Sequence, residues 1–313
     1  MVYLVSESDF RNRDVVGTRD FTRDQLEFIF DKTVEVKTNP NTFKDKLKGK
    51  EVTLIFFEPS TRTYNSFLTA ANMLGCTTVG FQDPSFSSYG GKGESLYDTI
   101  KMFSSYSDCI IMRHPAMGSA KFAAEISNKP IINGGSGSQE HPTQTMLDMF
   151  TIREKFGKID GLTVGMIGDL KYSRTTSSLS YALTNYNVKI IFIAPDFLQV
   201  RPEVEAYVKQ KNVNFMKTRE LSSAINELDV LYVTRIQKER FSDPDEHKKT
   251  KGFYQVNSDS IKGCKDSLVI LHPLPRVDEL STSIDTTKHA LYFQQAENGK
   301  YLRVALLSLM LGG

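Results

Sequence analysis

Short apolar runs alternate along this chain with longer segments in which apolar and polar residues mix, and this alternation constrains the fold most. Residues 52–57 and 109–113 are runs of the first kind, each of a length typical of a buried strand. Strands separated by helical segments pair in parallel sheets that those helices cover. The sequence therefore predicts an α/β fold with two doubly wound domains, mainly parallel sheets and a hinge helix between the domains.

The remaining pattern predicts where each domain begins and ends. The hinge helix is expected over residues 142–156, because a proline suits its first turn and a glycine follows its last apolar residue. We predict a first domain over residues 1–141, completed by a C-terminal helix at 293–313, and a second domain over residues 142–292. Further strands are expected at 77–81, 130–133, 162–167, 189–193, 230–233 and 268–271, with a turn at 134–138 and a mobile loop at 241–252.

The composition is that of a soluble globular protein and argues against several classes of partner. The 39 basic and 37 acidic residues are scattered, so no basic stripe indicates a nucleic acid. Three cysteines lie far apart without metal-ligand spacing, which favours reduced thiols over a disulfide or a zinc site. The N-terminus is charged too early for a signal peptide, and the apolar stretch 304–311 is too short to span a bilayer. We therefore expect a cytoplasmic protein without membrane contact, metal or cofactor, whose apolar C-terminus forms a buried helix.

A cluster of hydroxyls and one arginine follows the strand predicted at 52–57. Ser60, Thr61 and Thr63 supply hydroxyl donors, and Arg62 can bind two oxygens of one anion. The helix expected to begin here adds unpaired N–H groups and a partial positive charge. The alternative is an ordinary N-cap, which needs only one hydroxyl. The cluster therefore predicts an anion site.

Two further segments lie where α/β folds bind ligands. Arg113 ends a predicted strand, and His141 and Gln144, three positions apart at the start of the hinge helix, can face the same cleft. Taken singly, Arg113 is better explained as a surface charge, and the segment of His141 and Gln144 is explained equally well by a helix-capping role. Their occurrence together with the anion cluster favours a ligand site.

The second domain has three candidate segments after its predicted strands. Arg174 stands near a helix start and suits a carboxylate, in a turn that lacks the full glycine fingerprint of dinucleotide binding. Arg235 and Gln237 are two apart, so in an extended chain they can share one carboxylate; the alternative is a solvated strand end. Pro273 and Leu274 belong to a rigid His-Pro-Leu-Pro turn whose carbonyls can accept hydrogen bonds from an amide or an amine.

The residue types at the candidate positions indicate the kind of chemistry but do not by themselves identify the substrates. The candidate positions hold arginines and small donors, and the sequence has no paired carboxylate base, metal cluster, nucleophilic triad or P-loop. Such a site suits polyanionic substrates and acts by positioning and by electrostatic stabilisation.

Seven motifs then identify a family. FFEPSTRT, MRHP, EHPTQTMLDMFTI, GDLKYSRT, RIQKERF, HPLPRVDE and YFQQAENG occur in this order across most of the chain. Together they resemble the catalytic chains of the aspartate carbamoyltransferase family. The resemblance implies transfer of the carbamoyl group of carbamoyl phosphate to the amino group of L-aspartate, a step of pyrimidine synthesis. The alternatives are a carbamoyltransferase for another amine such as ornithine, whose branch typically has a cysteine at the position of Pro273, and a non-catalytic assembly protein, which would have lost residues such as Arg62.

The resemblance also implies a role for each matching residue, with carbamoyl phosphate bound by the first domain and aspartate by the second. The phosphate would be held by Ser60, Thr61, Arg62, Thr63 and Arg113. The carbamoyl oxygen would face Thr63, Arg113 and His141, and the carbamoyl NH2 would be oriented by Gln144 and by the carbonyls of Pro273 and Leu274. The α-carboxylate of aspartate would bind Arg174 and Arg113, and its side-chain carboxylate would bind Arg235 and Gln237.

One loop implies an oligomer. Ser88 and Lys92 match a family loop that reaches into the active site of a neighbouring subunit, whereas Lys92 taken alone is best explained as a solvated lysine. The resemblance thus implies a homotrimer with shared active sites, and it allows separate regulatory chains. The chain departs from the family pattern in ways that we expect to alter helix and subunit contacts rather than the chemistry, at Tyr64, Leu68, Gly91 and Ser177.

Overall fold

A computed structural model describes residues 4–236 and 255–312 of the chain. The loop predicted at 241–252 and the candidate residue Gln237 lie outside the described residues. The chain divides into two compact units, one formed by Met1–Leu147 with Glu297–Gly313 and the other by Asp148–Ala296. Two helices contribute residues to both units: α6, Pro142–Phe156, which has the bounds predicted for the hinge helix, and α9, Tyr292–Leu311.

The first unit contains a sheet of four parallel strands in the order β2-β1-β3-β4. Its strands are β1 (Glu51–Phe56), β2 (Thr77–Phe81), β3 (Cys109–His114) and β4 (Ile131–Ser136), and its helices are α1 (Arg23–Thr38), α2 (Thr61–Met73), α3 (Ser88–Lys92), α4 (Leu96–Tyr106) and α5 (Ser119–Ile126). The turn predicted at 134–138 was partly wrong. β4 continues to Ser136 because an irregularity in the β3–β4 pairing lets Ser136 pair with His114.

The second unit contains a sheet of five parallel strands in the order β7-β6-β5-β8-β9. Its strands are β5 (Thr163–Ile167), β6 (Lys189–Ile193), β7 (Asn214–Thr218), β8 (Val230–Val233) and β9 (Val269–Leu271). Among the described residues of this unit, the helices α7 (Arg174–Leu183) and α8 (Pro202–Gln210) accompany them. Strand β7 was not predicted, because it lies at the sheet edge, is half exposed and therefore lacks a continuous apolar run.

Both sheets confirm the predicted α/β class with parallel strands, and burial explains why the central strands were recognisable. Four of the five residues of β5 and of β6 are buried, as expected for strands covered by helices on both faces. The predicted C-terminal helix is also present: the apolar stretch 304–311 is fully buried within α9. Among the described residues, no helix is long and apolar enough to cross a membrane.

Candidate active site

The turn between β1 and α2 holds the predicted anion cluster. The N–H of Phe57 donates to the carbonyl of Arg113 at 2.8 Å, which ties the start of this turn to the end of β3. Helix α2 begins at Thr61, and its N-cap residue Ser60 makes no side-chain capping hydrogen bond. The ordinary N-cap explanation therefore fails for the Ser60 hydroxyl, which is available for a ligand. Thr61 and Arg62 are exposed in the first turn of the helix.

Thr63 and His141 meet in the first unit. Oγ1 of Thr63 lies 3.4 Å from Nε2 of His141, and the two residues are only 6% and 4% exposed. His141 directly precedes α6, and its carbonyl accepts the N–H of Gln144 at 3.1 Å, which closes the first turn of that helix. The structure thus brings together two residues that the sequence places 78 positions apart, with Gln144 one turn away.

Arg113 is oriented by a carboxylate to which the sequence analysis assigned no role. Its Nε donates to Oε2 of Glu58 at 3.1 Å and its Nη1 to the carbonyl of Gly134 at 3.3 Å. Glu58 lies in the turn after β1, and the pairing of Phe56 with Arg113 in the sheet brings the two side chains together. In the sequence, only the position of Glu58, two residues before Ser60, pointed to a role in the site. A carboxylate repels an anion, so Glu58 was not an obvious candidate for a site that binds one.

A buried histidine fixes the short helix α3. Nδ1 of His114 accepts the N–H of Ala116 at 3.0 Å, so the proton of the neutral ring is on Nε2, which lies 3.2 Å from the hydroxyl of Tyr89. Burial lowers the pKa of His114, against the opposing influence of Glu58, so the neutral form is favoured. The Tyr89 ring also packs edge-on against Phe57, with 4.6 Å between centroids.

The candidate residues of the predicted subunit loop lie on this same helix. Ser88 and Lys92 are the first and last residues of α3, on either side of Tyr89, and both are exposed. Their backbone is therefore held from within the first unit, while their side chains are accessible from outside the chain.

In the second unit, the segments that carry Arg174 and Arg235 are packed together. Gly168 has a φ of +114°, and a Cβ there would lie 2.1 Å from the carbonyl oxygen of Thr234, so only glycine permits this approach. The Thr234 N–H also donates to the carbonyl of Ile167 at 2.9 Å. Arg174 is the first residue of α7 and is 7% exposed, and Arg235, directly after Thr234, is half-buried. Two guanidinium groups thus follow adjacent strands of one sheet.

The predicted carbonyl turn follows β9, also in the second unit. Pro273 and Leu274 are both half-buried, and Leu274 has a φ of +54°. Arg276 closes the turn through ion pairs with Asp285 and a hydrogen bond of 3.2 Å to the hydroxyl of Tyr292. The turn is therefore held in one conformation by contacts of its own unit.

Two of the departures from the family pattern have structural explanations. The Tyr64 ring packs edge-on against Phe56, with 5.2 Å between centroids. Ser177 donates to the carbonyl of Ser173 and accepts from Nη2 of Arg201, each at 3.3 Å. Both residues stabilise local packing, and nothing in the structure explains Leu68. In the part of the chain that the structure describes, no group of three or more His, Cys, Asp or Glu side chains could hold a metal ion.

Known protein families account for nearly the whole chain. Residues 13–154 match the carbamoyl-P binding domain of aspartate/ornithine carbamoyltransferase, and residues 160–310 match its Asp/Orn binding domain. The chain belongs to the aspartate/ornithine carbamoyltransferase family.

Individual relatives extend over nearly the full length of the chain. It is 48% identical over 306 residues to the aspartate carbamoyltransferase catalytic subunit of Thermococcus kodakarensis, which covers 97% of this chain and 98% of the relative. The corresponding subunit of Nitrosopumilus maritimus is 48% identical over 305 residues, with 97% and 98% covered.

Solved structures of this family have the same fold. Aspartate transcarbamoylase from Trypanosoma cruzi, in complex with carbamoyl phosphate and aspartate, matches with a TM-score of 0.92 at 33% identity, over 98% of this chain and 99% of that one. The catalytic subunit of M. jannaschii aspartate transcarbamoylase matches with a TM-score of 0.86 at 42% identity, over 95% and 97%.

Proposed function

We propose that this chain transfers the carbamoyl group of carbamoyl phosphate to the amino group of L-aspartate, forming N-carbamoyl-L-aspartate and phosphate in the cytoplasmic synthesis of pyrimidines. The buried pair Thr63 and His141, beside an uncapped helix start, is the structural observation that carries the proposal. It supplies donors where an oxyanion would form, next to N–H groups that suit a phosphate. Curated relatives at 48% identity carry the name of this activity.

The first domain, residues 1–141 with 293–313, binds carbamoyl phosphate in this proposal. Phosphate oxygens accept hydrogen bonds from the start of α2, from the hydroxyls of Ser60, Thr61 and Thr63, and from the guanidinium groups of Arg62 and Arg113. Glu58 accepts a bond from Nε of Arg113 and the Gly134 carbonyl accepts one from Nη1, which together keep the guanidinium in one orientation. The carbamoyl oxygen faces Thr63, Arg113 and His141. The carbamoyl NH2 is oriented by Gln144 and donates hydrogen bonds to the carbonyls of Pro273 and Leu274.

The second domain, residues 142–292, binds aspartate. The α-carboxylate pairs with Arg174 and Arg113, and the side-chain carboxylate pairs with Arg235 and Gln237. The adjacent packing of the two strand ends that bear Arg174 and Arg235 supports recognition of a dicarboxylate. Ornithine has an amino group in place of the second carboxylate, so an arginine here disfavours it.

The proposed reaction depends more on the positioning of the two substrates than on a protein side chain that acts as a base. The neutral amine of aspartate forms a bond with the carbonyl carbon, and the carbamoyl oxygen gains negative charge that Thr63, Arg113 and His141 stabilise. The intermediate collapses as the carbon–oxygen bond to phosphate breaks, and the departing phosphate accepts the proton of the amine. Preorganised donors in a site of low dielectric contribute much of the rate in such reactions.

The proposal includes a homotrimer with shared active sites, to which separate regulatory chains can bind. Ser88 and Lys92 complete the site of a neighbouring subunit. Exposure of both side chains on a helix that Tyr89 holds in place supports this assignment.

One assay tests the proposed reaction directly. The purified chain is incubated with carbamoyl phosphate and either L-aspartate or L-ornithine, and the carbamoylated amino acid is measured. We expect N-carbamoyl-L-aspartate and no citrulline. Citrulline alone would support the ornithine alternative, and the absence of both products would support a non-catalytic protein.

A further inference from the structure

The turn after β9 is built around one buried imidazole. His272 is 1% exposed, and its Nδ1 lies 2.8 Å from the amide nitrogen of Leu274. A backbone N–H can only donate, so Nδ1 accepts this bond and carries no proton. The backbone N–H of His272 is itself fixed, since it donates to Oε1 of Gln295 at 2.8 Å. The imidazole is therefore neutral, with its proton on Nε2.

Glu279 holds the other side of this ring. Nε2 of His272 donates to Oε1 of Glu279 at 2.8 Å, and the N–H of Val277 donates to both carboxylate oxygens at 3.2 Å. Burial raises the pKa of Glu279, but the bonds from His272 and the backbone outweigh it and lower the pKa below the ordinary value. An ionised carboxylate thus accepts the Nε2 proton and fixes both the tautomer and the orientation of the ring.

The bond to Leu274 determines where the preceding carbonyl points. The peptide between Pro273 and Leu274 is planar and trans, so its C=O and N–H point in opposite directions. With the N–H directed at Nδ1 of His272, the carbonyl of Pro273 must point away from the imidazole. Leu274 also has a φ of +54°, a conformation that a residue with a side chain rarely adopts unless its surroundings hold it there.

We propose that His272, held by Glu279, is a positioning residue that directs the Pro273 carbonyl, beside that of Leu274, at the carbamoyl NH2 and thereby makes the site prefer carbamoyl phosphate to acyl phosphates without that group. The inference rests on the proposed function, which assigns these two carbonyls to the NH2. Acetyl phosphate has a methyl group in the same place, which would leave the carbonyls without a donor. His272 itself need not touch the substrate.

Two substitutions of His272 test the roles of its two ring nitrogens separately. The side-chain oxygen of His272→Asn can occupy the place of Nδ1 and accept the Leu274 N–H, whereas the longer amide of His272→Gln reaches the place of Nε2 and leaves that N–H without its acceptor. Affinities of the full chain for carbamoyl phosphate, acetyl phosphate and inorganic phosphate are measured by calorimetry for both variants and the wild type.

We expect a loss of affinity for carbamoyl phosphate alone among the three ligands, and only in His272→Gln. His272→Gln should bind carbamoyl phosphate about tenfold more weakly, the equivalent of one hydrogen bond, while acetyl phosphate and inorganic phosphate bind as to the wild type. His272→Asn should retain the wild-type preference. A similar loss for all three ligands, no loss in His272→Gln, or an equal loss in His272→Asn would overturn the proposal, because a merely structural role predicts no such selectivity.

A second measurement applies even where a variant fails to fold. Nitrogen-15 NMR of the wild type distinguishes the tautomers of its five histidines. The ring of His272 should show a protonated Nε2 and an unprotonated Nδ1, and its signal is the one absent in His272→Asn or, if that variant does not fold, in His272→Gln. If neither variant folds, the spectrum of His114→Asn, which lacks the other ring with its proton on Nε2, must still show one ring with a protonated Nε2 and an unprotonated Nδ1, and its absence refutes the proposal. Failure of the proposed function has a different signature: the wild type would form no N-carbamoyl-L-aspartate while still preferring carbamoyl phosphate to acetyl phosphate.

Discussion

Oγ1 of Thr63 lies 3.4 Å from Nε2 of His141, so a residue in the first turn of α2 and the residue before α6 present their polar atoms to each other within the first unit. Both side chains are almost fully buried. Donors removed from water stabilise a developing negative charge more strongly than exposed ones. The pair is therefore the part of the proposed site where substitutions should affect the rate most.

Replacement of Thr63 tests this directly. Thr63→Val keeps the shape of the side chain but removes the hydroxyl, so we expect kcat to fall about 10²-fold, the usual effect of losing one oxyanion donor. The melting temperature should change little. Thr69→Val is the matched control, since Thr69 is exposed on the same helix. Wild-type turnover in Thr63→Val would remove this residue from the proposed chemistry.

Arg62 is exposed, so its replacement should affect binding rather than folding. We expect Arg62→Ala to keep the wild-type melting temperature and to lose binding of inorganic phosphate and carbamoyl phosphate together, because the proposed partner of the guanidinium is the phosphate group that both ligands share. Arg11→Ala removes another exposed arginine of the same unit and should leave both affinities unchanged. Phosphate affinity that survives in Arg62→Ala would refute the assignment.

Shared sites predict complementation between two inactive variants. Lys92→Ala and Arg62→Ala should each have little activity, but a mixed trimer contains some sites in which both residues are intact. We expect measurable turnover after subunit exchange, and none when either variant is exchanged with itself. If exchange is verified by mass spectrometry and the mixture stays inactive, then Lys92 does not act in a neighbouring site.

His114 should make stability depend on pH. Its pKa is lowered in the folded protein, so the unfolded chain binds the proton more readily. The contribution of His114 to stability is then complete above the ordinary pKa of about 6.5 and is lost as pH falls through the lower folded value. We expect the melting temperature to fall between pH 7.5 and pH 5.5.

The variant His114→Asn isolates this effect. Its side-chain oxygen can still accept the N–H of Ala116, but it does not titrate, so its melting temperature should fall less over the same pH range. Tyr89→Phe removes the hydroxyl near Nε2 and should keep the pH dependence of the wild type, since the burial that lowers the pKa of His114 is retained. Equal slopes in His114→Asn and the wild type would show that another group is responsible.

Several of the predicted strands have consecutive buried residues, whereas the edge strand Thr77–Phe81 was predicted although none of its residues is buried. Val230–Val233 is buried at every position, so its apolar run marks the strand directly. Asn214–Thr218 is half exposed at the edge of its sheet, and it has no continuous run of apolar residues that would distinguish it from a loop. The turn predicted at 134–138 failed for a related reason: glycines favour turns locally, but pairing between Ser136 and His114 extended the strand.

By itself the sequence determined the α/β class, the helix at 142–156 and the residue types available for an anionic substrate, because these depend on local pattern and on side-chain chemistry. Only the tertiary structure decided which of those residues meet. Glu58 orients Arg113, Tyr89 holds α3 through His114, and Nδ1 of His272 fixes the peptide of Leu274. Each contact joins polar atoms within a few ångströms, and apart from the last each joins residues far apart in the chain. Such distances are set by strand pairing and packing, which a linear pattern does not specify.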